Sequence, residues 1–254
     1  MIRTIRGTVI WFAVLLIIWE AAARSGLVSE LILPPLETVF KSFGAEIISG
    51  GLLSGTFISL SFVITGIAAG ALAAFILAAL SFQVSAVKRL TDMLTAVLHP
   101  LPGIAVLPIF ILFFGIGGLT LIMVIVHSVV WPLVVNISTG FASVPAVYRK
   151  IGANYGLKAP AFFFRIMLPA SFPYIFSGLK TAWARAWRAA VSAEMVFGIT
   201  GSRGGLGWFV FQKRIFMDTA GMYAGILMLA LIGLIVESGL FHLIESKTLK
   251  KWGA

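Results

Sequence analysis

The sequence predicts an all-α integral membrane protein with six transmembrane helices, and three observations carry that reading. Hydrophobic side chains make up 60% of the 254 residues and charged ones 11%, against roughly 25% charged in soluble domains. The mean hydropathy is +1.06. The stretch between Asp92 and Arg149 holds no charged side chain; as one helix it would extend roughly 80 Å, against about 30 Å of hydrocarbon, so it must cross twice. Residues 1–254 form one unit, because lipid solvates apolar faces and no large water-driven core is needed.

The first span, 8–24, has an apolar run (Thr8 to Trp19) of signal-peptide length behind Arg3 and Arg6, and Ala21 to Ala23 imitate a cleavage site. A retained span is the better reading. Glu20 and Arg24 stand four apart and pair as the helix continues, and cleavage would leave an odd five spans. The second span is 56–80, where Gly66 and Gly70 either make a small-xxx-small contact face or fall there by chance. Gly115, Gly117 and Gly118 mark the turn between a third span, 95–114, and a fourth, 119–139. The fifth span is 172–197 and the sixth 222–244.

The net charge of +10 reads as membrane topology rather than nucleic-acid binding. With the N-terminus cytoplasmic, the inner segments hold Arg3, Arg6, Lys88, Arg89, Arg149, Lys150, Lys158, Arg165, Lys247, Lys250 and Lys251. The outer ones hold Arg24, Lys41, Arg203, Lys213 and Arg214. That bias puts both termini inside. The absence of cysteine excludes disulfides and thiolate metal sites. Of the outer segments, Leu31 to Phe43 suits an amphipathic surface helix. Gly198 to Asp218 suits a glycine-rich loop leading to an interfacial anchor of Trp208, Phe209 and Phe211.

The inner segment 143–169 is the most informative. Pro145 opens a helix, since its missing N–H would be unbonded in the first turn, and Gly156 closes it by taking positive φ. A second short helix begins at Pro160 and stops before Pro169. Helix, sharp turn and helix make a knob of the kind that inserts into a partner's groove.

Here the chain resembles the permease subunits of bacterial ATP-binding-cassette importers, in the nitrate, sulfonate and taurine branch. That family's cytoplasmic signature is Glu-Ala-Ala, three residues, Gly, nine residues, Ile-x-Leu-Pro; Gly156, Ile166, Leu168 and Pro169 match it in register. Lys150, Ile151 and Gly152 stand at the Glu-Ala-Ala positions, which puts a salt link from that glutamate in doubt. Further matches are Leu33-Pro34-Pro35, Pro102 to Pro108, Phe114-Gly115-Ile116-Gly117, Val144-Pro145, Pro173 with Gly178, Ala186-Trp187 and Ala193-Glu194-Met195. The resemblance implies a type I importer permease fold whose coupling helix, with Pro145, Tyr148, Lys150, Tyr155, Gly156, Ile166, Leu168 and Pro169, meets an ATPase. It implies partners: two cytoplasmic ATPase subunits that bind the ATP and Mg, a second permease copy read as identical, and a periplasmic or lipid-anchored solute-binding protein. It implies a bacterial inner membrane. The chain itself needs no cofactor and is not an enzyme; it has no Gly-x4-Gly-Lys-Ser/Thr phosphate loop.

The expected substrate path involves the fifth span. Arg185 and Arg188 share a helical face, and each charge at mid-membrane costs about 2.5 to 3.5 kcal/mol, so neither faces lipid. They either line an anion path or clamp onto carbonyls of a neighbouring helix. Glu194 is turned to the opposite face and cannot pair with Arg185 along the helix; structure or gating is its expected role. Trp183 and Trp187 either stack on an aromatic substrate or pack. His99, before Pro100, either lines the pore or donates to a carbonyl freed by a proline. His127 and Asn136 are read as glue between helices, and Lys180 as snorkelling to the inner boundary. Phe162 to Phe164 are read as filling the ATPase groove or the inner membrane surface.

Two rivals remain. A membrane-embedded enzyme would need a His-Glu-x-x-His pattern, paired carboxylates or an activated nucleophile, none of which is recognisable. An ion-coupled carrier would show two repeated halves with matching interrupted helices, and no such repeat is visible.

Overall fold

The computed structural model describes residues 2–197 and 204–248. Among them every regular element is helical: α1 (Ile2–Arg24), α2 (Leu36–Ile48), α3 (Gly51–Gln83), α4 (Ser85–Leu98), a 3-10 turn (Gly103–Val106) leading into α5 (Leu107–Phe114), α6 (Gly118–Ser143), α7 (Ala146–Asn154), α8 (Ala159–Ala170), α9 (Phe172–Phe197), α10 (Leu206–Ile215) and α11 (Thr219–Lys247). Within the described residues α3, α6 and α11 are each long and apolar enough to cross a bilayer, and α4–α5 and α8–α9 qualify as bent pairs. That makes an all-α membrane protein.

The core is the sandwich of α3, α6 and α9. Helices in lipid gain no hydrophobic drive from association, so close backbone approach must hold them together. Gly66 and Gly70 supply it: a Cβ on Gly66 would stand 2.4 Å from Ile125 Cγ2, and one on Gly70 2.9 Å from Val129 Cγ1. The contact-face reading of these glycines is therefore the right one. The pairs Gly66–Ile125, Gly70–Val129 and Phe82–Phe141 keep one offset, so α3 and α6 run parallel. On the other side of α6, Gly140 meets Ser171 and Tyr174, and Gly178 meets Asn136 and Leu133, which is an antiparallel register.

The third span is not the single helix expected over 95–114. The chain leaves α4 at His99, passes Pro100 and Pro102, and resumes at Gly103 with a 97° bend. Two prolines within three residues remove two amide donors and break the ladder. Gly115, at φ +73°, then ends α5 and lets α6 start at Gly118. The second inner helix also differs from expectation. It does not stop before Pro169 but runs on to Ala170, because a π turn over Phe163–Met167 shifts the backbone bonding just where Pro169 lacks its N–H.

At the end of the bundle where α2 joins α3, polar contacts do the fastening. The expected Glu20–Arg24 pair forms, and Glu20 Oε2 also accepts the Leu36 N–H at 2.8 Å, capping α2. Trp19 Nε1 donates to Pro34 O at 3.0 Å, and its ring meets Tyr223 edge-on. Lys213 of α10 donates to Glu46 of α2 and, at 2.8 Å, to Asp218, whose carboxylate caps α11 through Gly221 N–H. Phe209 is buried beside Gly51 and Gly225, so the interfacial-anchor reading of this segment does not hold for it. Residues 198–203 of that segment, with Arg203, lie outside the described residues, as do Lys250 and Lys251. At the opposite end Lys180 does not simply snorkel: it pairs with Glu245 at 3.1 Å, tying α9 to α11.

Two outcomes follow. Gly66→Leu forces a side chain into Ile125 and should cost about 1–3 kcal/mol or more, read as a lowered melting temperature in detergent, whereas Leu72→Ala on an exposed face should leave melting nearly unchanged. Burial opposes the charge of Lys213, but its bonds to Asp218 and Glu46 outweigh that and raise its pKa. Burial likewise pushes Asp218 up, and the bonds from Lys213 and Gly221 outweigh it and leave the carboxyl lowered. The Asp218 contribution is present above its unfolded pKa of about 3.9 and is lost as pH falls through the lower folded value. The Lys213 contribution is present below about 10.4 and is lost as pH rises through the higher folded value. A Lys213→Met variant should show a flatter melting-temperature profile at both extremes.

Candidate functional site

The break in the third span opens a cavity of about 410 Å³. His99, Pro100, Leu101, Pro102, Gly103 and Ile104 form one wall, Ser128 of α6 the floor, and Arg185, Arg188, Ala189 and Ser192 of α9 the other wall. Irregular backbone at membrane depth is tolerated where it lines a water-filled space or is buried in protein, and the broken segment here lines a cavity. Gly103 is required by closeness: a Cβ there would stand 2.1 Å from Ser128 Oγ.

Two guanidinium groups enter the cavity and no carboxylate lines it. Arg185 Nη1 makes one long contact, 3.5 Å, to His99 O, and Arg188 Nε donates to Ala184 O at 2.9 Å in its own helix. Neither has a charged partner among the described residues. Arginine carries five donors in a planar fork suited to carboxylate, sulfonate or nitrate oxygens, so most of this donor capacity is free to meet a solute. His99 lines the same cavity with its ring Nε2 buried and without a hydrogen-bond partner.

The other path candidates lie elsewhere. Trp187 is 8% exposed and stacks on Trp183 at 5.7 Å, packing in the core rather than facing the cavity. Glu194 is 1% exposed and sits on the side of α9 away from the cavity, bonded to Ser59 Oγ and Gly207 N–H. Asn136 donates to Pro132 O at 2.8 Å within α6. His127 makes no hydrogen bond among the described residues and packs edge-on with Phe110 and Trp131.

The α7–α8 segment is a second candidate site. Pro145 stands one residue before α7, and Gly156, at φ +68°, ends it. Gly156 N–H reaches Ala153 O at 2.9 Å and Leu157 N–H reaches Gly152 O at 2.9 Å, the paired bonds of a Schellman turn. Val147, Tyr148, Ile151 and Tyr155 are exposed, Tyr155 at 82%, and Lys150 is exposed beside them. Among the described residues, the α7 helix therefore presents an uncovered apolar and aromatic face.

What fastens this segment to the bundle lies behind that face. Gly152 is buried, and a Cβ there would stand 2.8 Å from Phe162 Cδ2. Ile166 and Leu168 are partly buried and Met167 is 1% exposed, while Pro169 remains at the surface. Phe163 meets Phe141 of α6 at 5.4 Å and Phe75 of α3 at 6.1 Å. Phe164 is exposed, whereas Phe162 and Phe163 are partly buried against the core and line one cavity together with Phe164. Neither Ser59, 135 residues from Glu194, nor Gly207, 13 residues from it, stood out as its partner in the sequence; only the apolar setting of Glu194 signalled that it needed donors.

A family model described as "Binding-protein-dependent transport system inner membrane component" matches residues 66–248. The chain is similar to the nitrate import permease protein NrtB of Synechocystis, 29% identical, with 89% of this chain and 82% of the relative covered. It is similar to the taurine transport system permease protein TauC of Escherichia coli, 27% identical over 90% and 83% of the two chains. It is also similar to the formylaminopyrimidine transport permease protein ThiX of Halalkalibacterium halodurans, 27% identical over 89% and 88%.

Proposed function

Because the chain belongs to the inner-membrane component family of binding-protein-dependent transport systems, we propose that it is the permease subunit of an ATP-driven importer and that its cavity is part of the path of a small organic or inorganic anion. The observation that carries the cargo class is the 410 Å³ cavity lined by Arg185 and Arg188 and by no carboxylate. A relative named for nitrate favours an anion and one named for taurine a solute with an anionic sulfonate group, while one named for a formylaminopyrimidine shows that similarity at this level does not fix the cargo. The choice falls to the two guanidinium groups.

The α7 face is the docking surface for a cytoplasmic ATPase, with Tyr148, Lys150 and Tyr155 on it and Pro145 and Gly156 bounding it. Ile166, Leu168 and Pro169 hold the following helix in place. Lys150 offers a positive charge where family members carry a glutamate, so the facing ATPase position should be acidic or neutral. Phe163, seated between Phe75 and Phe141, carries displacement of the docked segment into α3 and α6. Access alternates as this rigid core reorients. Chemistry belongs to the partners: two ATPase subunits bind ATP and Mg, and a solute-binding protein delivers cargo. The path is completed by a second, identical copy.

In this reading α1 is the first of six spans, adding to the five by length and apolarity. Its mid-section exposes Ile10, Trp11, Phe12 and Leu15, suited to lipid or the second copy. Both termini lie in the cytoplasm of a bacterial inner membrane, which the Lys and Arg bias supports.

A Cβ on Gly156 would meet nothing within 4 Å, so only its φ restricts the position. Gly156→Val should strain the turn by roughly 1–2 kcal/mol and misplace the docking face. The expected result in vesicles containing the assembled transporter is ATP hydrolysis that solute no longer stimulates. Arg188→Gln should reduce uptake of an anionic solute by about tenfold or more while sparing a neutral analogue, since one charge-assisted contact of about 1.5–3 kcal/mol is lost. Competition uptake with paired solutes measures it, and equal loss for both counts against the anion reading.

A further inference from the structure

Helix α10 starts inside the bundle, and a buried carboxylate holds that end. Three neighbours set its direction: Lys213 is bonded to Glu46, Phe209 lies beside Gly51, and Leu206 lies beside Gly55. The N-terminus of α10 thus points into the bundle, alongside the first turns of α3. Leu206 N–H donates to Ser59 Oγ at 2.8 Å. Ser59 lies roughly 12 Å below Gly51 at 1.5 Å per residue, so the helix start lies well below the rim.

Helix N-termini carry unpaired N–H groups and a positive partial charge, and inside lipid these need a protein partner. Glu194 supplies it. Its Oε2 accepts Gly207 N–H at 2.8 Å, and its two oxygens lie 2.7 and 2.8 Å from the Ser59 hydroxyl, which in turn accepts Leu206 N–H. One hydroxyl and one carboxylate therefore join α3, α9 and α10 at a single point. The fit leaves no slack. A Cβ on Gly205 would stand 2.3 Å from Glu194 Oε1, and one on Gly207 would stand 2.4 Å from Val191 O.

The opposite side of α9 lines the cavity through Arg185, Arg188, Ala189 and Ser192. Ser192 and Glu194 are two positions apart, about 200° around the helix. Any tilt of α9 toward or away from α10 moves Ser192 and Arg188 by a matching amount. We propose that Glu194 is a positioning residue for transport: bonded to Ser59 and Gly207, it seats helix α10 against α9 and so sets the cavity-lining face of α9. This rests on the reading of the chain as an ATP-driven importer permease.

The test uses the transporter assembled with its ATPase subunits and solute-binding protein in vesicles, comparing wild type, Glu194→Ala, Glu194→Gln and Ser59→Ala at equal amounts of folded complex. The readout is solute taken up per ATP hydrolysed. Glutamine accepts from Gly207 and donates to Ser59 Oγ, so it should stay within about threefold of wild type, whereas Glu194→Ala should lose about tenfold in this ratio. Ser59→Ala should lose about threefold, and it serves alone if Glu194→Ala does not assemble. A purely structural role would lower the amount of complex and leave the ratio unchanged in the folded fraction; that result overturns the proposal. A glutamine variant as damaged as the alanine one overturns it too, since charge and not placement would then be what matters. A wild-type assembly with no ATP-driven uptake sinks the importer reading instead, and takes this proposal with it.

Discussion

Backbone amides and carbonyls inside hydrocarbon have no water to bond, and the architecture answers to that constraint everywhere. Regular helices satisfy it along α3 and α9, and along α6 except at Pro132, which has no N–H to give. Where the chain breaks, at His99 to Pro102, the freed groups face a cavity rather than lipid. Where a helix begins below the rim, at Leu206, a serine and a glutamate take the amides. Both departures from regular helix border α9, one on each side. That helix carries Arg185, Arg188 and Glu194, three charges which lipid would not accept.

The second constraint is approach distance. Gly66, Gly70, Gly140 and Gly178 bring three helices close enough for dispersion contacts to replace the missing hydrophobic drive. The resulting block reaches the α7–α8 segment through the rings of Phe75, Phe141 and Phe163. A push on that segment meets close-packed aromatic contacts, which transmit displacement better than they absorb it. The two candidate sites are thus joined by packed structure: an exposed face on α7, a cluster of rings, and a helix whose far half lines the cavity.

Much of this was legible in residue order. Charge-free runs located α3 and α6, and Gly115 marked a real turn. The Gly156 spacing placed a Schellman turn whose positive φ the structure shows. Arg185, Arg188 and His99 were singled out for costly burial or proline neighbours, and all three line one cavity. The 97° bend was not legible, since prolines announce a kink but not its size. Nor was the fate of Trp187: its spacing from Trp183 fits a stacked pair in either a core or a pocket, and only its burial in the core decides. Ser59 escaped because a serine in an apolar helix normally bonds its own backbone. Its use here depends on a carboxylate 135 residues away. The contacts of Phe163 with Phe75 and Phe141 were not legible either, because a π segment has no periodic signature.

If solute passes through the space opened by the break in the third span, that space must be open to water-borne reagents. The chain has no native cysteine, so one introduced thiol reports without background. Ser192→Cys, on the cavity wall, should react with a charged, membrane-impermeant methanethiosulfonate, and the reaction should block uptake and slow when transported solute is present. Ile64→Cys, on an exposed apolar face of α3, should stay unreactive. A Ser192→Cys thiol as protected as that at position 64, or one whose modification leaves uptake intact, would contradict the account.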